Sequence, residues 1–138
     1  MMKKIAVVAQ DRMKPLLVSF LRERENWLWG RTLVATGLTA DFVEQEHFKV
    51  SIEHLSAGKE GGYRELKQLV EAGEIDMAFF FRDPEIVQDY EQDVIEFLRS
   101  CNRKNIPLAT NPATAELIIL GLIKMESAER IRDKQSGQ

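Results

Sequence analysis

Short apolar runs alternate with longer stretches in which apolar residues recur every three or four positions, and this alternation sets the expected architecture. Ile5-Ala6-Val7-Val8-Ala9 is continuously apolar, as a strand covered on both faces would be. Pro15 then opens a helix that carries Leu16, Leu17, Phe20 and Leu21. Thr32-Leu33-Val34-Ala35 is read as a second strand, residues 40–46 as a short helix, and the alternating stretch 50–55 as a third strand near a sheet edge. A glycine-rich loop, 56–62, precedes a helix marked by Leu66, Leu69 and Val70 that Gly73 can end. Residues 75–81 form a nearly all-apolar fourth strand. Val94, Phe97, Leu98 and Cys101 give the helical spacing i, i+3, i+4, i+7. Residues 106–109 make a short fifth strand, and a last helix is expected over about 113–122.

Five strands alternating with helices predict one α/β domain: a five-stranded parallel sheet with helices on both faces, joined by right-handed crossovers. The domain is expected over 1–125, with a charged and then polar tail, frayed at its end, over 126–138. In such sheets ligands bind beyond the carboxyl ends of the strands. The loops placed there are Gln10-Asp11, 36–39, 56–62, Arg82-Asp83-Pro84 and Thr110-Asn111-Pro112.

Bulk properties narrow the function by exclusion. The net charge is −3, so there is no broad basic surface for nucleic acid or anionic lipid, and a bound anion must be held by a few local donors. No apolar run nears the roughly 20 residues of a membrane span, and the basic start reads as the lead-in to a strand, not a signal peptide. A single cysteine, Cys101, excludes an internal disulfide and a cysteine metal cluster. The expected setting is the cytosol.

The edge loops are rich in small hydroxyl residues and glycine. Thr36-Gly37-Leu38-Thr39 lies between a strand and a helix, where backbone N–H groups and threonine hydroxyls can hold a phosphate. Ser56 and Gly58 can add donors, and Lys14, one turn beyond the first strand, adds a positive charge. Neither a dinucleotide fingerprint nor a Walker A sequence is present, so one phosphate on a small molecule fits better than a triphosphate. Each feature also has a plain structural reading. Thr39 can cap a helix, Asp83-Pro84 and Asn111-Pro112 can start one, and Gly61-Gly62 can be a turn. Asp11 and Lys14 can be a surface ion pair, worth about 0–1 kcal/mol. His47 and His54 receive no role, Cys101 is read as core, and Trp27 and Trp29 flank a turn in a core or an interface.

The ordered set of motifs is specific. Val7-Val8-Ala9-Gln10-Asp11-Arg12-Met13-Lys14, Ala35-Thr36-Gly37-Leu38-Thr39, Leu55-Ser56 with Gly61-Gly62, Phe80-Phe81-Arg82-Asp83-Pro84 and Asn105-Ile106-Pro107-Leu108-Ala109-Thr110-Asn111 together resemble the methylglyoxal synthase family. The resemblance spans nearly all of residues 3 to 120. Its fold also serves as a regulatory domain of carbamoyl phosphate synthetase and as a module of a purine-pathway cyclohydrolase. It implies a phosphorylated substrate, dihydroxyacetone phosphate, from which a proton is removed beside the carbonyl before inorganic phosphate is expelled. It also implies a homo-oligomer, and no metal or organic cofactor.

Residue by residue, Lys14, Thr36, Thr39 and Ser56 match phosphate-pocket positions, and Asp11, Asp83 and Asp93 match active-site carboxylates. Other positions depart from the family. Gln10 stands where a histidine is usual and Leu38 where a second threonine is usual. Tyr63 stands in place of the aspartate that removes the proton, and Tyr90 in place of the histidine that polarises the carbonyl. The 56–62 loop carries one extra residue, and the family's C-terminal arginine has only Arg130 and Arg132 as candidates. Tyrosine, with a pKa of about 10, is a poor carboxylate substitute; Glu60, Asp11 and Glu65 are the alternatives for the base. Three readings follow: a lyase giving methylglyoxal, a non-catalytic phosphometabolite sensor, and a structural subunit.

Overall fold

The computed structural model describes residues 4–136. Its sheet has five strands, all parallel, in the order β3-β2-β1-β4-β5. These are β1 (Ile5–Ala9), β2 (Thr32–Ala35), β3 (Ser51–His54), β4 (Met77–Phe81) and β5 (Leu108–Ala109). β1 and β4 pair along their full length, from Ile5 against Met77 to Ala9 against Phe81. All ten of these residues are buried, which accounts for the unbroken apolar runs in the sequence. β3 lies at an edge, as its alternating pattern predicts, and its residues are mostly exposed.

Strand residues of alternating parity serve two cores. Ile5, Val7, Phe79 and Phe81 pack against α1 (Lys14–Glu23), the short α2 (Glu25–Leu28), α3 (Gly37–Glu44) and α6 (Pro112–Ser136). Ala6, Val8, Ala78 and Phe80 pack against α4 (Gly62–Glu71) and α5 (Glu91–Arg103). The result is the expected three-layer α/β domain. Phe20 sits edge-on to both Phe79 and Phe81, each at 5.5 Å between centroids. Cys101 is fully buried in the second core, and desolvation pushes its thiol pKa up to about 12, so it is packing and not a nucleophile.

Gly73 ends α4 as expected. It has φ +76°, its N–H donates to the Val70 carbonyl, and the Glu74 N–H reaches back to Leu69. Asn111-Pro112 also starts a helix as expected, because Asn111 Oδ1 accepts from the Thr114 N–H at 2.9 Å. Asp83-Pro84 does not. The chain stays irregular from there to Tyr90, and Asp83 Oδ1 instead accepts from the Glu85 N–H at 3.0 Å.

The larger departure is at the C-terminus. The last helix does not stop near residue 122 but runs on as α6 for 25 residues, about 37 Å. A contact through Glu126 ties its second half to the body. Glu126 accepts hydrogen bonds from Trp27 Nε1 at 3.1 Å and from Arg31 at 3.0 and 3.2 Å, while the Arg31 guanidinium lies 3.9 Å over the Trp27 ring. Burial disfavours the Glu126 charge, but the bonds from Arg31 and Trp27 outweigh it and hold the carboxyl below its usual range. Trp27 is therefore a core-edge residue, whereas Trp29 is 71% exposed. Among the described residues no helix is long and apolar enough to cross a membrane.

Glu126→Ala removes the acceptor shared by Trp27 and Arg31. It is expected to lower stability by about 1–2 kcal/mol, read by urea unfolding, and to increase amide exchange beyond residue 122.

Candidate functional site

The ends of β1, β2, β3 and β4 open into one cleft of about 600 Å³. Ala9, Gln10, Asp11 and Lys14 come from the first loop, and Thr36, Leu38 and Thr39 from the second. Ala57, Gly58, Lys59 and Tyr63 come from the third, and Gln88, Asp89 and Tyr90 from the fourth. The chain turns from β3 back across the sheet to β4, so β1 lies where the strand order reverses, which is where a ligand crevice is expected. Thr110 and Asn111, after β5, line a separate cavity with Arg82 and Asp83.

The backbone frame is tight. The Gly37 N–H donates to the Ser56 carbonyl at 3.2 Å. A Cβ on Gly62 would lie 2.1 Å from that same carbonyl oxygen, so only glycine fits. Gly61, at φ +101°, turns the chain into α4. Gly61-Gly62 is thus more than a turn: it lets the third loop close on the second.

Lys14 is buried, and its ammonium donates to the Ala9 carbonyl at 2.9 Å and to Asp11 Oδ1 at 2.8 Å. An ammonium has three protons, so one donor remains for a ligand. Asp11 itself is 87% exposed. Thr39 does not cap α3. Its hydroxyl lies 3.3 Å from both the N–H and the carbonyl of Ala9, tying the helix to the end of β1. No side chain caps α3 at Thr36, so the start of that helix faces the cleft without an internal anion.

Three of the residues matched to pocket or carboxylate positions, Ser56, Asp83 and Asp93, stand outside the lining. Ser56 donates its N–H and its hydroxyl to the two Glu65 carboxylate oxygens, at 2.7 and 2.9 Å, so both donors are engaged and Glu65 is committed as well. Asp83 is buried and held bidentate by Arg12, with both bonds at 2.7 Å. The Arg12 hydrogen bonds, with help from the Glu85 N–H, hold its carboxyl below the usual range. Asp93 pairs with Arg64 at 3.3 Å. Arg130 and Arg132 lie on the distal half of α6 and do not line the cleft. Glu60, named as an alternative base, is also outside it.

Tyr63 and Tyr90 stack with centroids 5.7 Å apart and planes 25° from parallel. Tyr63 is only 3% exposed. Desolvation, aided by Tyr90 and nearby carboxylates, raises its phenol pKa well above the ordinary value. Tyr90 is raised too, by burial and then by Asp11, Asp89 and Glu91. Both rings are neutral proton donors at physiological pH, and neither can act as a base.

Gln10 carries a feature not evident from the sequence. The Asp83 N–H donates to its Oε1 at 2.5 Å, which fixes the amide orientation. Its Nε2 is then a buried donor without a hydrogen-bond partner among the described residues, on a residue 3% exposed at the cleft wall. Arg12, Lys59, Gln88 and Asp89 were also missed. Arg12 acts only through a partner 71 positions away, and the other three lie on irregular loops without a motif. Among the described residues no group of three or more His, Cys, Asp or Glu could hold a metal ion.

Fold and cleft define an α/β protein with a ligand crevice at the strand-order reversal, and comparison with known proteins gives the family. The MGS-like domain family matches residues 17–110. Methylglyoxal synthase from Acholeplasma laidlawii is 40% identical over 116 residues, 84% of this chain and 94% of that protein. The Caldicellulosiruptor saccharolyticus methylglyoxal synthase is 42% identical over 118 residues, 86% and 83% of the two chains. The crystal structure of methylglyoxal synthase from Elizabethkingia anophelis superposes with a TM-score of 0.77 at 35% identity, covering 85% of this chain and 76% of that one. The chain belongs to the methylglyoxal synthase family.

The Arg12–Asp83 clamp makes a signed prediction. Asp83 has a folded pKa below its unfolded value of about 3.9, so its contribution is complete above pH ~4 and is lost as pH falls through the folded pKa. Asp83→Asn should lower stability at pH 7 and flatten the acid limb of the stability curve below pH 4, measured by urea unfolding across pH.

Proposed function

We propose that this protein binds a small phosphorylated metabolite in the cleft and converts dihydroxyacetone phosphate to methylglyoxal only slowly. The observation that carries this reading is the Tyr63–Tyr90 stack, which stands in the wall beside Lys14, Thr36 and Thr39. The phosphate would sit at the uncapped start of α3, next to the remaining Lys14 proton. Ser56 supports that site through its carbonyl grip on Gly37, while its own donors stay with Glu65.

Phosphate elimination needs a base for the proton beside the carbonyl and a donor for the enediolate oxygen. Tyr90 and Gln10 Nε2 supply donors. Among the cleft carboxylates, Asp11 and Asp89 are the groups able to accept the proton. Asp11 is solvent-exposed and ion-paired to Lys14, a poorly defined position for a base. Asp83 and Asp93, bound to Arg12 and Arg64, contribute by fixing the loops. Losing a positioned general base costs about 10²–10⁴ in rate. We place the protein in the cytosol as a homo-oligomer. Support for assembly comes from apolar side chains left exposed on α6, among them Leu117, Leu120 and Ile131, and from Trp29.

Tyr63→Asp is expected to raise methylglyoxal production from dihydroxyacetone phosphate by up to about 10²–10⁴-fold, with less gain unless Tyr90→His is added. Lys14→Ala should instead weaken binding of inorganic phosphate, followed by thermal shift. A parent already turning over at ordinary enzyme rates, or a folded double variant with no gain, would overturn the slow-lyase reading. Light scattering at micromolar concentration should give a mass above the 15.9 kDa monomer.

A further inference from the structure

Leu38, Tyr63 and Tyr90 bring apolar or aromatic surface to the same cleft. Leu38 follows Gly37 at the start of α3 and is 56% exposed, an aliphatic side chain held open beside the helix end that would take a phosphate. Tyr90, half-buried, lies along Tyr63 with its ring at the wall. The third loop is shaped to those rings: a Cβ on Gly58 would come within 2.7 Å of Tyr63 and 3.1 Å of Tyr90. Leu38 and Tyr90 thus flank the space next to Lys14 with apolar surface. Gln10 Nε2, buried and unpartnered, adds one neutral donor that awaits an acceptor. The volume, about 600 Å³, falls within the roughly 300–1,000 Å³ used for drug-sized ligands and exceeds the needs of a three-carbon phosphate.

A triose phosphate is polar throughout. Bound here, it would leave Leu38 and Tyr90 with no apolar partner and much of the cleft filled with water. We propose that the cleft is built for a phosphate monoester whose organic part is planar and apolar, with the phosphate at the start of α3 and the ring between Leu38 and Tyr90. This rests on the phosphate-binding reading above and names the class of ligand for that site.

The test is calorimetric titration of the full chain with three probes under one buffer condition: inorganic phosphate, glycerol 3-phosphate and phenyl phosphate. Phenyl phosphate should bind at least about tenfold more tightly than glycerol 3-phosphate, the margin expected from burying one ring face. In Leu38→Thr, and in Leu38→Thr combined with Tyr90→His, the ratio should fall to about threefold or less. Leu38 is largely exposed, so the single variant keeps the test valid even where the double variant does not fold. Equal affinity for the two esters, with inorganic phosphate bound, overturns the ligand class and leaves the phosphate site standing. A preference that persists in folded variants also overturns it, because the selectivity then lies elsewhere. Absence of binding for all three probes removes the phosphate site itself and this inference with it.

Discussion

The fold turns on the pairing of two strands that have no access to water. β1 and β4 are buried on both faces over five residue pairs, so their backbone groups must be satisfied within the sheet and their side chains within the two helical layers. Parallel pairing sends both chains out at the same edge. Since β2 and β3 are built outward on one side of β1 and β4 on the other, the exit loops diverge there and leave a crevice. The cleft is therefore a consequence of strand order. Its volume is kept by the glycine contacts that draw the third loop onto the second, with Gly62 against the Ser56 carbonyl and Gly37 bonded to it.

Much of this was legible in the sequence because buried strands and amphipathic helices write strong patterns. All five strands were expected along the chain and in one parallel sheet, the loops at the ligand edge were selected by rule, and the motif series pointed to the family. The end of α6 was not legible. Beyond Leu122 the polar and charged composition resembles a frayed tail, and what holds it is a three-residue contact among Trp27, Arg31 and Glu126, about 95 positions apart. Spacing along one chain carries no trace of such a pair. The Asp83-Pro84 pair misled for a related reason: the aspartate had the residue type of a helix cap, but its carboxylate was already claimed by Arg12.

The candidate site divides in the same way. Asp11, Lys14, Thr36, Thr39, Tyr63 and Tyr90 follow directly on strands or open helices, so topology alone gathers them. Ser56 and Asp83 lie on the right loops and Asp93 in the first turn of α5, yet each is turned to a charged partner, Glu65, Arg12 or Arg64. Loop position says which residues approach an edge. It does not say which hydrogen bonds win once they arrive, and charge-assisted pairs such as Arg12–Asp83 at 2.7 Å and Ser56–Glu65 at 2.7 and 2.9 Å are strong competitors.

Those internal pairs also explain how binding and chemistry can part company in one cleft. In the proposed function the anion is held by an uncapped helix start and a buried ammonium with a proton to spare, which depend on backbone placement and a single lysine. Proton abstraction depends on a carboxylate facing the substrate. Here Asp83 and Asp93 are neutralised by arginines, and Glu65 is bound to Ser56. Tyr63, in the wall of the same cleft, is a phenol that burial keeps protonated. The helix start and Lys14 lie on α3 and α1 while Tyr63 lies on α4, so the residue at position 63 does not alter them directly. On the proposed reading, such a cleft has an electrostatic reason to take a phosphate without a carboxylate placed to deprotonate its carbon. Its selectivity is then free to follow whatever surface, here Leu38 and the tyrosine pair, lies next to the anion.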